Sequence, residues 1–309
     1  MSSEPRLPAG VTVLERGWLS SNNVVFTTGT TAVVDTGYAT HSGQTVALVQ
    51  RELQGRSLEV IACTHLHSDH CGGNAALQEA FPSARTLIPP GQSDAVARWD
   101  QATLTYEATG QQCRRFRFEG LLKPGLSIEL GEWRWDIHAG PGHDPHSIIL
   151  FEPQSRTVIS ADALWENGFG VVFPELEGES AFADVGATID LIEALRPECV
   201  IPGHGSPFAG AARIATAIER ARSRLASFVA EPRRHASHAI KVLIKFKLLE
   251  WQSVEFDHFA HWAEQLPYTR EVHSRYFPGL NLHEWLELLT AELAKSGALG
   301  REGSIIYNI

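Results

Sequence analysis

An apolar, β-branched run from Leu58 to Cys63 leads without a break into Thr64-His-Leu-His-Ser-Asp-His-Cys-Gly-Gly-Asn74, and this junction constrains the fold more than any other stretch. The run reads as a buried strand. Gly72 and Gly73 then open a short helical pattern through Ala75, Ala76 and Leu77. A strand ending in a loop of ligand-type side chains lets a rigid scaffold hold a cation. His65 and His67 lie two apart and share a face if extended geometry persists. Asp69 and His70 fall beyond the bend and can face a second position. A lone H-x-H carries little weight, because most histidines are surface or core residues. H-x-H-x-D-H, with imidazole and carboxylate donors this close together, predicts a metal site.

This motif resembles the signature of the metallo-β-lactamase superfamily. The resemblance implies three further ligands downstream, in the order His, Asp, His, each at a strand end. The chain offers His143 in G-P-G-H-D-P-H-S, Asp162 in S-A-D-A-L and His204 in I-P-G-H-G. On residue type alone His138 and His146 compete with His143. The family pattern, with its ligand directly after P-G and a serine three or four residues on, selects His143. His138 then reads as a strand side chain and His146 as a pocket residue or a support behind the ligands. Taken singly, Asp162 also suits a turn and His204 a loop. The resemblance assigns His65, His67 and His143 to one ion and Asp69, His70 and His204 to the other, with Asp162 bridging. It gives Asp69 a catalytic task as well, orienting the hydroxide between the ions. Asp35, in a D-T-G turn, reads either as a turn former or as a residue fixing a ligand histidine by hydrogen bond.

A bound divalent ion lowers the pKa of water to about 7, and a second ion can polarise a carbonyl and stabilise the oxyanion. The expected function is therefore a dinuclear metal-dependent hydrolase whose metal-bridging hydroxide attacks an ester-like carbonyl, a thioester or lactone first. Imidazole and carboxylate donors suit zinc, iron or manganese, with zinc the expected ion at both positions. β-Lactamases of the superfamily commonly place cysteine where this chain has Asp162, and flavodiiron oxidoreductases place glutamate where it has His67. The resemblance thus moves towards the glyoxalase II branch. Glyoxalase II itself carries C-G-H-E-Y-T around the last ligand, against P-G-H-G-S-P here, so the substrate stays open. The alternative is a mononuclear iron sulfur dioxygenase on the same scaffold, or a phosphodiesterase or β-lactam hydrolase of the superfamily. Trp165, Phe169 and Phe173 follow Asp162 and read equally as pocket lining or core.

At 309 residues the chain has room for one large domain and a smaller appendage. A net charge of −10 argues against nucleic acid, whose phosphates need a basic surface. A small-molecule substrate is expected, with no membrane partner; a homo-oligomer is compatible with the sequence. No apolar run approaches the roughly 18 to 20 residues of a membrane span. The segment M-S-S-E-P-R-L-P-A-G lacks the apolar core of a secretory signal, so a cytoplasmic location is expected. Cys63, Cys71, Cys113 and Cys199 have no paired spacing, and no disulfide framework is expected. Cys71, beside His70, reads as a small residue at the start of a helix.

Strand and helix patterns alternate through the first two-thirds of the chain. Strands are expected near 11–14, 23–27, 31–35, 58–63, 85–88, 115–118, 127–130 and 133–138, with helices at 41–53, around 182–192 and at 209–229. This order fits the α/β fold class that the family resemblance implies: an αββα sandwich of two mixed β-sheets flanked by helices. Glu231-Pro232 marks a boundary between a catalytic domain, 1–230, and a mostly helical C-terminal segment, 231–309. There, helices are expected at 236–250, 257–265 and 281–296, the last capped by Asn281, then a strand at 304–307. This order resembles the winged-helix appendage of some family members. Arg233, Arg234, Lys241, Lys245 and Lys247 read as a solvated helix face.

Overall fold

In the computed structural model, which describes residues 6–309, twelve strands form two six-stranded mixed sheets. The first sheet runs in chain order: β1 (Val11–Leu14), β2 (Asn23–Phe26), β3 (Ala32–Val34), β4 (Val60–Ala62), β5 (Arg85–Ile88) and β6 (Gly120–Leu121). It starts as an antiparallel meander and becomes parallel from β3 onwards. The second sheet contains β7 (Ser127–Leu130), β8 (Trp133–Ala139), β9 (Ile148–Glu152), β10 (Thr157–Ala161), β11 (Cys199–Pro202) and β12 (Phe208–Ala209). Its one parallel pair is β10 with β11.

Alternation along each strand builds three layers of core. Val24, Phe26, Val34 and Ala62 point between the sheets and meet Trp135, Ile137, Leu150 and Ile201 from the second sheet. Phe26 meets Trp135 edge to face with ring centroids 5.6 Å apart. Val25, Val33 and Ile61 point outwards, onto Val49 and Leu53 of the helix Ser42–Leu53 and Leu77 of the helix Asn74–Ala80. On the other flank, Ile149, Val158 and Val200 pack on the helices Phe182–Leu195 and Ala211–Ala230. Strands covered on both faces read as continuous apolar runs, which is why Val60 to Cys63 shows no polar alternation. The architecture is the expected αββα sandwich. Trp135 is fully buried, and truncating it to alanine would cost about 3–5 kcal/mol.

The expected strand at 115–118 is not formed, and the last strand of the first sheet is the short β6. The Gln78 side chain takes the place of a neighbouring strand: its Nε2 donates to the Arg117 carbonyl and its Oε1 accepts from the Arg117 N–H. Satisfied in this way, the backbone needs no ladder there.

The C-terminal region is helical, with the helices Pro232–Trp251, Phe256–Gln265, Pro267–Tyr276 and Leu282–Lys295. It also contains a three-stranded antiparallel sheet, ordered β13 (Ser253–Glu255), β15 (Ile305–Asn308), β14 (Leu299–Glu302). Asn281 caps the last long helix by accepting from the N–H groups of His283 and Glu284. The helix Pro267–Tyr276 and the strands β13 and β14 were not expected from sequence. These helices have a core of their own, including Leu243, Ile244, Phe259 and Leu286, which takes in Val171 and Leu176 from the segment after Asp162. Of the basic residues of the first helix, Arg233 and Arg234 are exposed as expected, but the three lysines do not form a solvated face. Lys247 is buried, donating to Glu250 at 2.8 Å and to the Gly110 carbonyl at 2.9 Å. Lys245 donates to the Ala298 carbonyl and Asn308 Oδ1, and Lys241 pairs with Glu292. Among the described residues, no helix is long and apolar enough to cross a membrane.

Candidate metal centre

All seven ligand-type residues follow the ends of strands, with Asp69 and His70 in the short helix Ser68–Cys71. β4 delivers His65, His67, Asp69 and His70; the β8–β9 loop delivers His143; the ends of β10 and β11 deliver Asp162 and His204. They form two groups, His65–His67–His143 and Asp69–His70–Asp162–His204, with the candidate ligand atoms of each within 4.8 Å of one another. Asp162 stands between them. Its Oδ2 lies 3.4 Å from His143 Nε2 and its Oδ1 lies 3.4 Å from His70 Nε2. His204 Nε2 is 3.1 Å from Asp69 Oδ2, and His67 Nδ1 is 2.8 Å from His143 Nε2.

Hydrogen bonds behind the cluster fix which nitrogen faces inwards. Asp35 accepts from the Thr64 N–H, the Thr64 hydroxyl and His70 Nδ1, each at 2.8 Å, which leaves His70 Nε2 for the cluster. Asp35 thus makes a hydrogen bond to a candidate ligand histidine, and its left-handed φ of 57° is a conformation that aspartate tolerates. His143 Nδ1 donates to the Val171 carbonyl. The Ser20–Asn23 turn ties the two edges together: Ser21 N–H donates to Asp69 O, and Asn22 donates to Gly203 O, Pro202 O and Gly205 O. At Gly203 a Cβ would sit 2.2 Å from Asp162 Oδ1, so only glycine admits that carboxylate.

Do these donors suit a cation? His65 Nε2 and His70 Nε2 are buried and make no hydrogen bond, a costly state that an ion would relieve. Burial, reinforced by the neighbouring imidazoles His70, His67 and His143, holds the His65 imidazole well below its usual range. Burial, then His67, pushes His143 down to about 4. Both are thus neutral lone-pair donors. In the other group burial opposes charge, yet His70 and His204 hold Asp69 and Asp162 ionised, while Asp162, Asp35 and Asp69 hold His70 well above its usual range. One group is all imidazole and the other carries two carboxylates. The donor set fits divalent cations.

The profile of the metallo-beta-lactamase superfamily matches residues 16–204, more than half of the chain and all seven clustered residues. The chain belongs to the metallo-beta-lactamase superfamily. That fold with this His/Asp cluster implies divalent metals. It is 26% identical over 205 residues to the human acyl-coenzyme A thioesterase MBLAC2, spanning 59% of this chain and 71% of that protein. It is 30% identical over 146 residues to the hydroxyacylglutathione hydrolase of Thermosynechococcus vestitus, covering 47% of this chain and only 48% of that one. A beta-lactamase domain protein from Burkholderia ambifaria shares the fold over 98% of this chain and 96% of its own, at 19% identity and a TM-score of 0.58. The BLEG-1 B3 metallo-beta-lactamase aligns over 68% of this chain and 96% of its own, at 21% identity and a TM-score of 0.55.

The cluster opens into a cavity of about 660 Å³. Trp165, Phe169 and Phe173 all line it, which decides in favour of the pocket reading, though Phe169 also packs into the helical flank. Phe173 sets its ring 5.0 Å from His67 and 5.6 Å from His143. Several neighbours escaped sequence reasoning. Trp18, 53% exposed, stacks on His204 with ring centroids 5.4 Å apart. Asp144 is buried with Oδ2 3.8 Å from His67 Nε2, although it adjoins His143 and might have been read with it on spacing. The opposite wall comes from the helix Pro232–Trp251, through Lys241, Val242, Lys245 and Phe246. His146 packs at Gly91 and His138 lies within β8, both outside the cluster. Cys71 ends the short helix Ser68–Cys71 instead of starting one, with its thiol turned to the Tyr106 hydroxyl, 3.2 Å away.

Proposed function

We propose that this protein is a dinuclear metal-dependent hydrolase of thioesters, with zinc as the first candidate at both positions and a small molecule as substrate. The observation that carries the reading is Asp162, one oxygen at 3.4 Å from a histidine nitrogen of each group. A carboxylate so placed can serve both sides of a two-ion site. The thioester preference draws on the acyl-coenzyme A thioesterase and hydroxyacylglutathione hydrolase relatives. Two divalent ions, when bound, would supply activated water and an electrophile for the carbonyl.

The chain's own residues do the rest. His65, His67 and His143 would hold one ion, Asp69, His70 and His204 the other, with Asp162 shared. Asp69, whose Oδ2 faces His204, is the group that would orient the attacking water by accepting its hydrogen bond. Trp18, Trp165 and Phe173 line the cavity beside the cluster and would flank a bound carbonyl, where partial shielding from water strengthens electrostatic contacts. We also read residues 231–309 as an appendage of winged-helix type, on their order of helix, strand, helices and hairpin.

The test is metal analysis of protein purified without added metal, followed by a hydrolysis screen over thioesters, lactones, phosphodiesters and β-lactams. Two ions per chain with thioesters the best substrates is the expected result. One iron per chain with oxygen uptake would replace this reading by the dioxygenase.

A further inference from the structure

Beside the cavity above the metal centre, along its helical wall, lies a second concavity. The two share Asn167, Arg224, His238 and Lys241, and the second is a cleft of about 860 Å³ between the helices Ala211–Ala230 and Pro232–Trp251. Arg220, Arg224 and Ser227 come from successive turns of the first helix, Arg234, His238 and Lys241 from successive turns of the second. Spacings of three and four residues put each set on one helical face. The two faces meet across the break at Glu231.

This cleft is strongly basic within a chain of net charge −10. Four cations line it against one carboxylate, Glu292, which is already paired with Lys241. Among the described residues, Arg220, Arg224 and Arg234 have no ion-pair partner. Arg220 donates to Asn167 Oδ1 at 2.9 Å and Arg234 to Ser227 Oγ at 2.9 Å, both neutral acceptors. His238 reports the same field: burial, then Arg224, Lys241 and Arg234, push it down to about 4. Ser223, Ser227 and Ser237 add hydroxyl donors. Guanidinium forks and hydroxyls with almost no acceptor suit phosphate, which takes several charge-assisted hydrogen bonds at once. A concave site that borders the metal cavity through four shared residues suits a small polyanion whose other end reaches the candidate ligands.

We propose that this cleft binds the phosphate groups of the substrate's leaving thiol, so that the thioesters cleaved are those of a phosphate-bearing carrier such as coenzyme A. The proposal rests on the thioesterase reading above. Glutathione, which carries carboxylates and no phosphate, would leave most of these donors unused.

The experiment has two arms on the metal-loaded full chain. In the first, adenosine 3′,5′-bisphosphate, the phosphate end of coenzyme A without thiol or ester, is titrated calorimetrically. Wild type should bind it saturably. Arg220→Gln/Arg234→Gln, which alters two exposed residues that line the cleft and not the metal cavity, should weaken binding roughly tenfold or more. Arg220→Lys/Arg234→Lys should recover part of the loss. In the second arm one acyl group is presented on coenzyme A, glutathione and N-acetylcysteamine. The double glutamine variant should lower the kcat/KM ratio of the coenzyme A ester to the N-acetylcysteamine ester about tenfold, mainly through KM, and the bisphosphate should compete with the coenzyme A ester only. No bisphosphate binding, binding untouched by the variant, or binding without competition would overturn the inference while leaving thioester hydrolysis standing. Bisphosphate binding with no thioester cleaved would overturn the thioesterase reading and, with it, the assignment of the phosphate to a leaving thiol.

Discussion

The clustered ligand-type residues and the helical wall opposite them enclose one cavity, yet they are held in different ways. On the ligand side, each chain end is tied by short-range backbone geometry and by buried hydrogen bonds such as Asp35 to Thr64 and His70. The wall is held at a distance, through the core of the C-terminal region and a few buried polar contacts. Lys247 and Glu250 have side chains only 7% and 8% exposed, and Glu250 also accepts from the Tyr38 hydroxyl. His235 accepts from the Val172 N–H at 3.2 Å and so pins the segment after Asp162. On the proposed function, the ligand side would carry reactivity and the wall selectivity, so a substitution on one should read out differently from a substitution on the other.

The largest effect should come from the ligand side. Asp162→Asn keeps the shape and loses the charge, so kcat should fall by about a thousandfold with one ion lost. Asp184→Asn, on the exposed face of a flanking helix, should change neither. Metal stoichiometry and turnover on both variants check this, and equal effects at the two positions would reject the bridging role. On the wall, Lys247→Ala leaves Glu250 buried without its cation. The cost should be about 3 kcal/mol of unfolding free energy in urea, with far less change in metal content. A drop in bound metal as large as the Asp162 variant's would erase the division between the two sides.

A smaller effect is expected one layer behind the ions. Asp35→Asn keeps a hydrogen-bond acceptor for the Thr64 N–H but loses the charge that holds His70, and metal affinity should fall roughly 10- to 100-fold. Competition with a chelator measures it. Unchanged affinity would show that Asp35 is only a turn former. The mildest effect is a pH dependence. Burial pushes His235 down to about 3. A group whose folded pKa is depressed lends stability above its unfolded value, near 6.5, and that stability is lost as pH falls towards 3. Urea midpoints should therefore decline on acidification below pH about 6.5, less steeply in His235→Gln. Parallel slopes for the two proteins would remove His235 from the account.

How much of this could be read from residues alone followed from sequence separation. His65, His67, Asp69 and His70 fall within one short stretch, so strand and turn geometry is enough to group them. His143, Asp162 and His204 were reached only through their order and strand-end settings, because nothing local says that they meet. Gln78 replacing a strand at 115–118 had no signal, since a glutamine on a helix face looks like any surface residue. The lysines of 241–247 misled for the same reason. Their helical spacing resembles a solvated face, and only tertiary packing buries Lys247 under Trp262, with Nζ 4.7 Å from the ring.

By itself, then, the sequence determined most of the strand pattern of the two large sheets and the chemistry available at the strand ends. Hydrophobic periodicity and ligand type are properties of neighbouring residues. Tertiary structure alone decided which nitrogen each histidine turns inwards, that Asp162 stands between the two groups, and that Trp18 and the helix Pro232–Trp251 close the cavity. It alone brought Arg220, Arg224 and Arg234 to one cleft. Those arrangements join residues far apart in the chain, and their energy comes from burial and buried hydrogen bonds that exist only once the sheets and helices have packed.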